Sequence, residues 1–158
     1  MSDFNIIKAE KKHCKKIWEW RNDPLTLKMS INQNFISLED HTLWFEKILV
    51  DKSKSLYLGE ESKVLIGVIR FEQSNINKDI HDVSLNISPS MRGKGLGKKL
   101  LIQGIEAFKK EKSPCRYFCA VIKKENTRSQ KLFESCGFYN FISKDYLTYR
   151  YDLYRPGN

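Results

Sequence analysis

The sequence predicts an α/β (α+β) domain with a mixed, mostly antiparallel central sheet of about seven strands and helices on both faces. Three observations lead there. The apolar period switches along the chain between two and about 3.6, in the order β α α β β β α β α β β. Strands outnumber helices, and hairpins alternate with strand–helix–strand units, as in a mixed sheet. The chain has 158 residues, 41% of them apolar, which suffices for one core. No repeat, low-complexity tract or Pro/Gly-rich linker divides it, so one domain over residues 1–158 is expected.

Each element has a local reason. FNIIKA (Phe4–Ala9) is a short strand, and a helix from Glu10 to about Arg21 follows, with Cys14, Ile17 and Trp18 at helical spacing. RNDP (Arg21–Pro24) stops it, because proline disfavours helix in the residue before it. Ser37 reads as the N-cap of the next helix, with Asp40 three residues on and Leu38, Phe45, Ile48 and Leu49 facing the core. Ser55–Gly59 and Lys63–Glu72 are strands turning near Glu60–Ser62. Ile80–Ser88 is a strand that alternates Asp82, Ser84 and Asn86 against Val83, Leu85 and Ile87. Gly95–Lys110 is a helix with Leu96, Leu100, Leu101, Ile105 and Phe108 on one stripe. Arg116–Ile122 is a strand, Thr127–Cys136 a helix ended by Gly137, and two aromatic-rich strands close the chain around Phe138–Ile142 and Tyr146–Tyr154.

The bulk properties narrow the function. No apolar run reaches the ~18–20 residues of a membrane span, and the N-terminus lacks a signal peptide's apolar stretch, so a cytoplasmic protein is expected. The four cysteines, Cys14, Cys115, Cys119 and Cys136, form no CxxC pair; reduced thiols and no metal are expected. The net charge of +9 suits nucleic acid, an anionic membrane or an anionic small molecule. Lys8, Lys11, Lys12, Lys15 and Lys16 make a solvated helix face, whereas Arg92, Lys94, Lys98 and Lys99 surround a glycine loop.

That loop, Arg92-Gly93-Lys94-Gly95-Leu96-Gly97, follows a strand and opens a helix. Free N–H groups and the positive end of the helix dipole favour an anion there, and glycines let the backbone approach a phosphate. The spacing is not that of a P-loop, and the dinucleotide fingerprint fails because Lys98 stands where its third glycine should be.

The pattern RxxGxG after a strand ending NISPSM resembles the GNAT superfamily of acetyl-coenzyme A-dependent N-acetyltransferases. A second segment, NTRSQKLFESCGF (Asn126–Phe138), is similar to another signature of that superfamily and lies one helix and one strand later, as it does there. The resemblance implies direct acetyl transfer from acetyl-CoA to an amine. It implies that Arg92, Gly93, Lys94, Gly95, Gly97 and Lys98 surround the pyrophosphate. Ile87 would offer backbone partners on a strand splayed from its neighbour, Asn126 and Ser129 would lie along the pantetheine arm, and Lys131 would meet a phosphate. Many relatives carry a tyrosine proton donor where this chain has Phe133, so Tyr139 is the substitute candidate. Asp82, Glu72 and His81 are candidates for the general base, with Asp82 foremost.

The acceptor is read from the N-terminal part. Trp20-Arg21-Asn22-Asp23, and His41 with Trp44 three residues later, resemble GNAT enzymes that acetylate nucleotide-linked amino sugars, including the 4-amino acetyltransferases of pseudaminic acid biosynthesis. Aromatic faces suit pyranose rings and nucleobases, and an arginine can fork onto a diphosphate. The resemblance therefore implies Trp20, Arg21, Asn22, His41 and Trp44 as substrate-binding residues and a small-molecule amine as partner, with neither nucleic acid nor membrane. Ribosomal-protein N-terminal acetyltransferases carry related segments and supply the alternative acceptor, a peptide; a basic nucleic-acid-binding module is the non-enzymatic alternative. The terminal YLTYRYDLYRPGN either lines the acceptor pocket or joins a homodimer sheet.

Overall fold

The computed structural model describes residues 3–112 and 115–155. Seven strands form one sheet in the order β1-β2-β3-β4-β5-β7-β6. They are β1 (Phe4–Lys8), β2 (Lys54–Glu61), β3 (Val64–Gln73), β4 (Ile80–Ile87), β5 (Tyr117–Ile122), β6 (Tyr139–Ser143) and β7 (Leu147–Asp152). Every neighbouring pair is antiparallel except β4 with β5. The helices are α1 (Cys14–Arg21), α2 (Pro24–Met29), α3 (Leu38–Val50), α4 (Leu96–Glu111) and α5 (Thr127–Ser135). The expected fold class and strand order along the chain hold.

Two cores lie on the two sides of the sheet. On one, Leu96, Leu100, Leu101, Ile105 and Phe108 of α4 pack with Ile69, Phe71, Val83 and Phe118, and Phe133 of α5 joins them. On the other, Ile17 and Trp20 of α1 and Phe45 and Ile48 of α3 pack on Leu56, Leu58 and Val68. Alternation along β3 and β4 sorts the side chains between these faces. Val83 is buried under α4, while Asp82 and Ser84 are exposed on the other side.

Local chemistry explains the boundaries. The Ser37 hydroxyl accepts from the Asp40 N–H at 3.1 Å, as an N-cap should. Gly137 has φ +91°, and the Phe138 N–H reaches back to the Phe133 carbonyl at 3.1 Å, closing α5 with the left-handed residue its sequence expects. β2 and β3 turn through Ser62 and Lys63, both at positive φ, which carries β2 further than expected.

Three readings need correction. Arg21–Pro24 ends one helix but also starts another: Asp23 caps α2 and Pro24 takes its first position, where a missing N–H costs nothing. Leu38 is exposed, because α3 turns its buried side through His41, Phe45 and Ile48 instead. In α1, Trp20 rather than Trp18 is the buried tryptophan. Residues 156–158 of the terminal aromatic stretch lie outside the described residues.

Candidate active site

β4 and β5 pair only through Ile80–Tyr117, His81–Phe118 and Asp82–Cys119. β4 remains paired with β3 as far as Ile87, and β5 with β7 as far as Ile122. The two strands therefore part beyond Asp82 and Cys119, which leaves β4 from Val83 to Ile87 with no β5 partner in the ladder. A parallel pair opened in this way offers backbone groups to an extended ligand arm.

A cavity of about 350 Å³ lies at the open end. Leu85, Asn86 and Ile87 of β4, the glycine loop, the first turns of α4 and α5, and one side of α2 line it. Gly93 (φ +77°) and Gly95 (φ +72°) are left-handed, and an added Cβ at either would meet nothing within 4 Å. Their neighbouring space is open, so the backbone is accessible to a ligand. Gly95 is also the residue before α4, and no side chain caps that helix. The first-turn N–H groups, with no side-chain acceptor among the described residues, can donate to an anion. At Gly97 the reason differs: its Cβ would press on Leu132 at 3.2 Å, so glycine here lets α4 and α5 approach.

The expected coenzyme residues divide. Ile87, Arg92, Gly93, Gly95, Gly97, Lys98, Asn126 and Ser129 line the cavity. Asn126 caps α5 by accepting from the Ser129 N–H at 3.2 Å, which leaves its amide nitrogen as the donor it offers. Lys94 and Lys131 are exposed and do not line it. Arg128 does, and the sequence reading passed over it; with Leu132 four residues on it shares the cavity side of α5. Arg92 lines the cavity, but its guanidinium is engaged. It donates to Asp23 at 2.9 Å and to the Thr26 hydroxyl at 2.7 Å. Lys99 is also engaged, with Glu61 at 3.2 Å.

Three of the four candidates for proton transfer, Glu72, Asp82 and Tyr139, fall on one line. Strand register places Lys54, Glu72, Asp82, Cys119, Arg150 and Tyr139 side by side across six strands on one face. Asp82 sits at the apex of the opening between β4 and β5. Partial burial, then the like charge of Glu72, push its carboxyl above the usual range, with Arg70 opposing. Glu72 is itself paired with Lys54 at 3.2 Å. Tyr139 lies on edge strand β6, two strands beyond β5, or about 10 Å at the usual spacing. There its ring meets Arg155 and Phe141, away from the cavity. Phe133 is buried against Phe138. His81 is on the opposite face, buried edge-on to Phe108, so the fold withdraws it from the row.

Most of the expected acceptor residues are used by the fold. Trp20 is a core residue, 5% exposed. Asn22 pins the loop before α3, donating to the Ile36 carbonyl and accepting from its N–H, both at 2.9 Å. His41 is buried, and its Nε2 donates to the Cys14 carbonyl at 2.9 Å, tying α3 to α1. Burial holds it neutral, with a lowered pKa.

Arg21 and Trp44 stand differently. Arg21 donates through Nη2 to the Asn32 carbonyl at 2.8 Å, while Nη1 is buried with no hydrogen-bond partner among the described residues. Burial, and next the charge of Arg70, lower its pKa. Arg70 in turn lies over the Trp44 ring, 5.8 Å from the centroid. No motif announces Arg70, Cys119 or Arg150 in the sequence; only strand register brings Cys119 beside Asp82, Arg70 opposite Ser84 on the same strand, and Arg150 beside Cys119.

Comparison with known proteins gives a consistent picture. The sequence profile of the acetyltransferase (GNAT) family matches residues 12–138. Acetyltransferase PseH of Campylobacter jejuni subsp. jejuni serotype O:23/36 (strain 81-176) is 25% identical over 134 residues, covering 85% of this chain and 82% of that protein. The structure of yncA, a putative acetyltransferase from Salmonella typhimurium with its cofactor acetyl-CoA, superposes with a TM-score of 0.79 at 23% identity, over 96% of this chain and 95% of that one. Ribosomal-protein-alanine N-acetyltransferase from Brucella melitensis gives 0.79 at 20% identity, over 94% and 99%.

Proposed function

The chain belongs to the acetyltransferase (GNAT) family and is an acetyl-CoA-dependent acetyltransferase; from that premise we propose that its acceptor is an amine on an anionic small molecule, the 4-amino group of a UDP-linked amino-dideoxy sugar. One observation carries the proposal. Arg21 is a partly buried cation whose Nη1 has no hydrogen-bond partner among the described residues, with a second cation, Arg70, as neighbour. Arg70 has a carboxylate partner in Glu72, but at 3.9 Å and shared with Lys54, so the two guanidinium groups still favour an added anion beside them. A diphosphate supplies that charge and matches the forked donors. A polycationic acceptor would add to the repulsion. Half-exposed Trp44, with Arg70 over its ring, extends the same surface with an aromatic face suited to a sugar or base. The N-terminal resemblance to amino-sugar acetyltransferases supports the same reading.

The residues present fit the coenzyme. The Gly93–Gly95 backbone and the uncapped start of α4, with Lys98 and Arg128, would hold the pyrophosphate; Asn126 and the open edge of β4 would hold the pantetheine arm. Bound there, acetyl-CoA supplies the acetyl thioester and a thiolate leaving group. Asp82, at the apex, takes one proton from the acceptor's ammonium directly or through water, freeing the amine that attacks the thioester carbonyl; as the C–S bond breaks, the nitrogen's second proton goes to the leaving thiolate or to solvent. Glu72 makes Asp82 a stronger base by its like charge, and Arg21 with Arg70 orients the anionic part so that the amine faces Asp82. A cytoplasmic location belongs to this reading; among the described residues no helix is long and apolar enough to cross a membrane.

Thiol release from acetyl-CoA with UDP-linked 4-amino sugars and with N-terminal peptides, side by side, tests the proposal. Sugar-dependent release that Arg21→Ala and Arg70→Ala each cut at least tenfold in kcat/KM is expected. Release with peptides alone would refute the acceptor while leaving the coenzyme site intact.

A further inference from the structure

The structure assigns Asp23 and Arg92 as positioning residues: their ion pair fastens α2 as a strap beside the opening between β4 and β5, and Arg92 serves that strap rather than the pyrophosphate. This goes beyond the acceptor reading and rests only on the coenzyme site.

α2 has six residues and buries none of them fully. A helix this short has no stability of its own, and it has little core to dock on, so polar contacts must set its place. At its start, Asp23 accepts from Arg92 at 2.9 Å and from the Thr26 N–H at 3.2 Å. The Thr26 hydroxyl accepts from the same Arg92 nitrogen at 2.7 Å and lies 3.2 Å from the Asn86 side-chain oxygen, on β4. The ion pair is sheltered, with about a fifth of each side chain exposed. At the other end, the Lys123 ammonium, just after β5, donates to the Lys28 carbonyl at 3.1 Å.

α2 is thus tied at one end to β4 and the glycine loop, and at the other to the segment leaving β5. Between these ties it presents Leu25, Thr26, Met29 and Ser30 to the cavity. The guanidinium at the head of the glycine loop lines the cavity, but its Nη2 is held on α2 by Asp23 and Thr26. The loop that holds the coenzyme therefore also holds the wall past which the acceptor must reach it.

The test compares Asp23→Asn, Arg92→Gln, Arg92→Lys and the double variant Asp23→Asn/Arg92→Gln. CoA affinity is measured by calorimetry, amide hydrogen exchange is followed along the chain, and acceptor kinetics are taken with whichever amine is turned over. Faster exchange confined to residues 24–30 is expected in both single variants, with CoA Kd within twofold of the parent. Acceptor KM should rise about five- to thirtyfold, in the lower part of the usual range of a coupling between sites. The double variant should resemble either single one, since both remove one interaction. Arg92→Lys should recover part of the loss, keeping the charge without the fork. CoA binding weakened tenfold by Arg92→Gln but not by Asp23→Asn would show Arg92 to be a phosphate ligand and overturn the assignment. Unchanged exchange over residues 24–30 would also overturn it. The exchange and calorimetry arms need no acceptor, so failure of the UDP-sugar reading leaves this test intact.

Discussion

Substitutions at Gly95 separate the cost of its backbone conformation from the occupancy of the space beside it. Gly95 sits at φ +72°, ψ 9°, at the head of α4, and a Cβ there would touch nothing within 4 Å. Gly95→Ala therefore meets no clash, and only the left-handed conformation is penalised, at about 1–2 kcal/mol. For a domain of this size that corresponds to a fall of roughly 2–8 °C in Tm. The first-turn N–H groups of α4 stay in place, so CoA Kd should change less than tenfold. Gly95→Trp carries the same backbone penalty but sends an indole toward a cavity of about 350 Å³. It should match the alanine variant in Tm and lose at least a hundredfold in CoA affinity. Thermal unfolding by circular dichroism and calorimetric titration with CoA read the two effects separately. A folded Gly95→Trp protein with parental CoA affinity would refute the pyrophosphate site. An alanine variant with unchanged Tm would refute the backbone argument.

Asp82→Asn should lower kcat by about 10²–10³, within the range of general-base contributions. In the parent, kcat/KM should rise with pH through a midpoint above the usual carboxylate range, and Glu72→Gln should move that midpoint down because it removes the like charge. An unmoved pH profile in Glu72→Gln would separate the two carboxylates. His13, His41 and His81 are all buried, and burial first of all lowers each pKa below the ordinary 6.5. The unfolded chain takes up these protons first, so their contribution to stability is whole above about pH 6.5 and is lost as pH falls through the folded values. Urea midpoints should hold between pH 7 and 8 and decline below 6.5. His81→Phe should flatten the decline, since Nδ1 of His81 has no hydrogen-bond partner among the described residues; an equally steep decline would count against this. At Gly104, a Cβ would lie 2.9 Å from Cδ1 of fully buried Ile69. Gly104→Val should therefore destabilise by about 1–3 kcal/mol, read from denaturant midpoints.

Local signals in the sequence were enough for the order of strands and helices, for the glycine loop and for the ends of α3 and α5. Each depends on a few adjacent residues: Ser37 with Asp40, Gly95 before the apolar stripe of α4, and Gly137 after α5. That the glycine loop borders a cavity was legible for the same reason, because such a loop is built from consecutive residues, and Gly93, Gly95, Gly97 and Lys98 line that cavity while Lys94 does not. The acceptor side was not. Trp20, Asn22 and His41 carry a suggestive spacing, yet packing and loop pinning use them, and spacing along a helix does not tell a buried face from a binding one. Tyr139 is next to the second signature in sequence but two strands away from β5 in space. Cys119 comes beside Asp82, Arg70 opposite Ser84 and Arg150 beside Cys119, and Asp23 meets Arg92 across 69 positions of sequence, only because strand register and chain crossing bring them there. Local chemistry is written in neighbouring residues; contacts between distant ones follow from how the sheet closes, and that is where the tertiary structure decided the site.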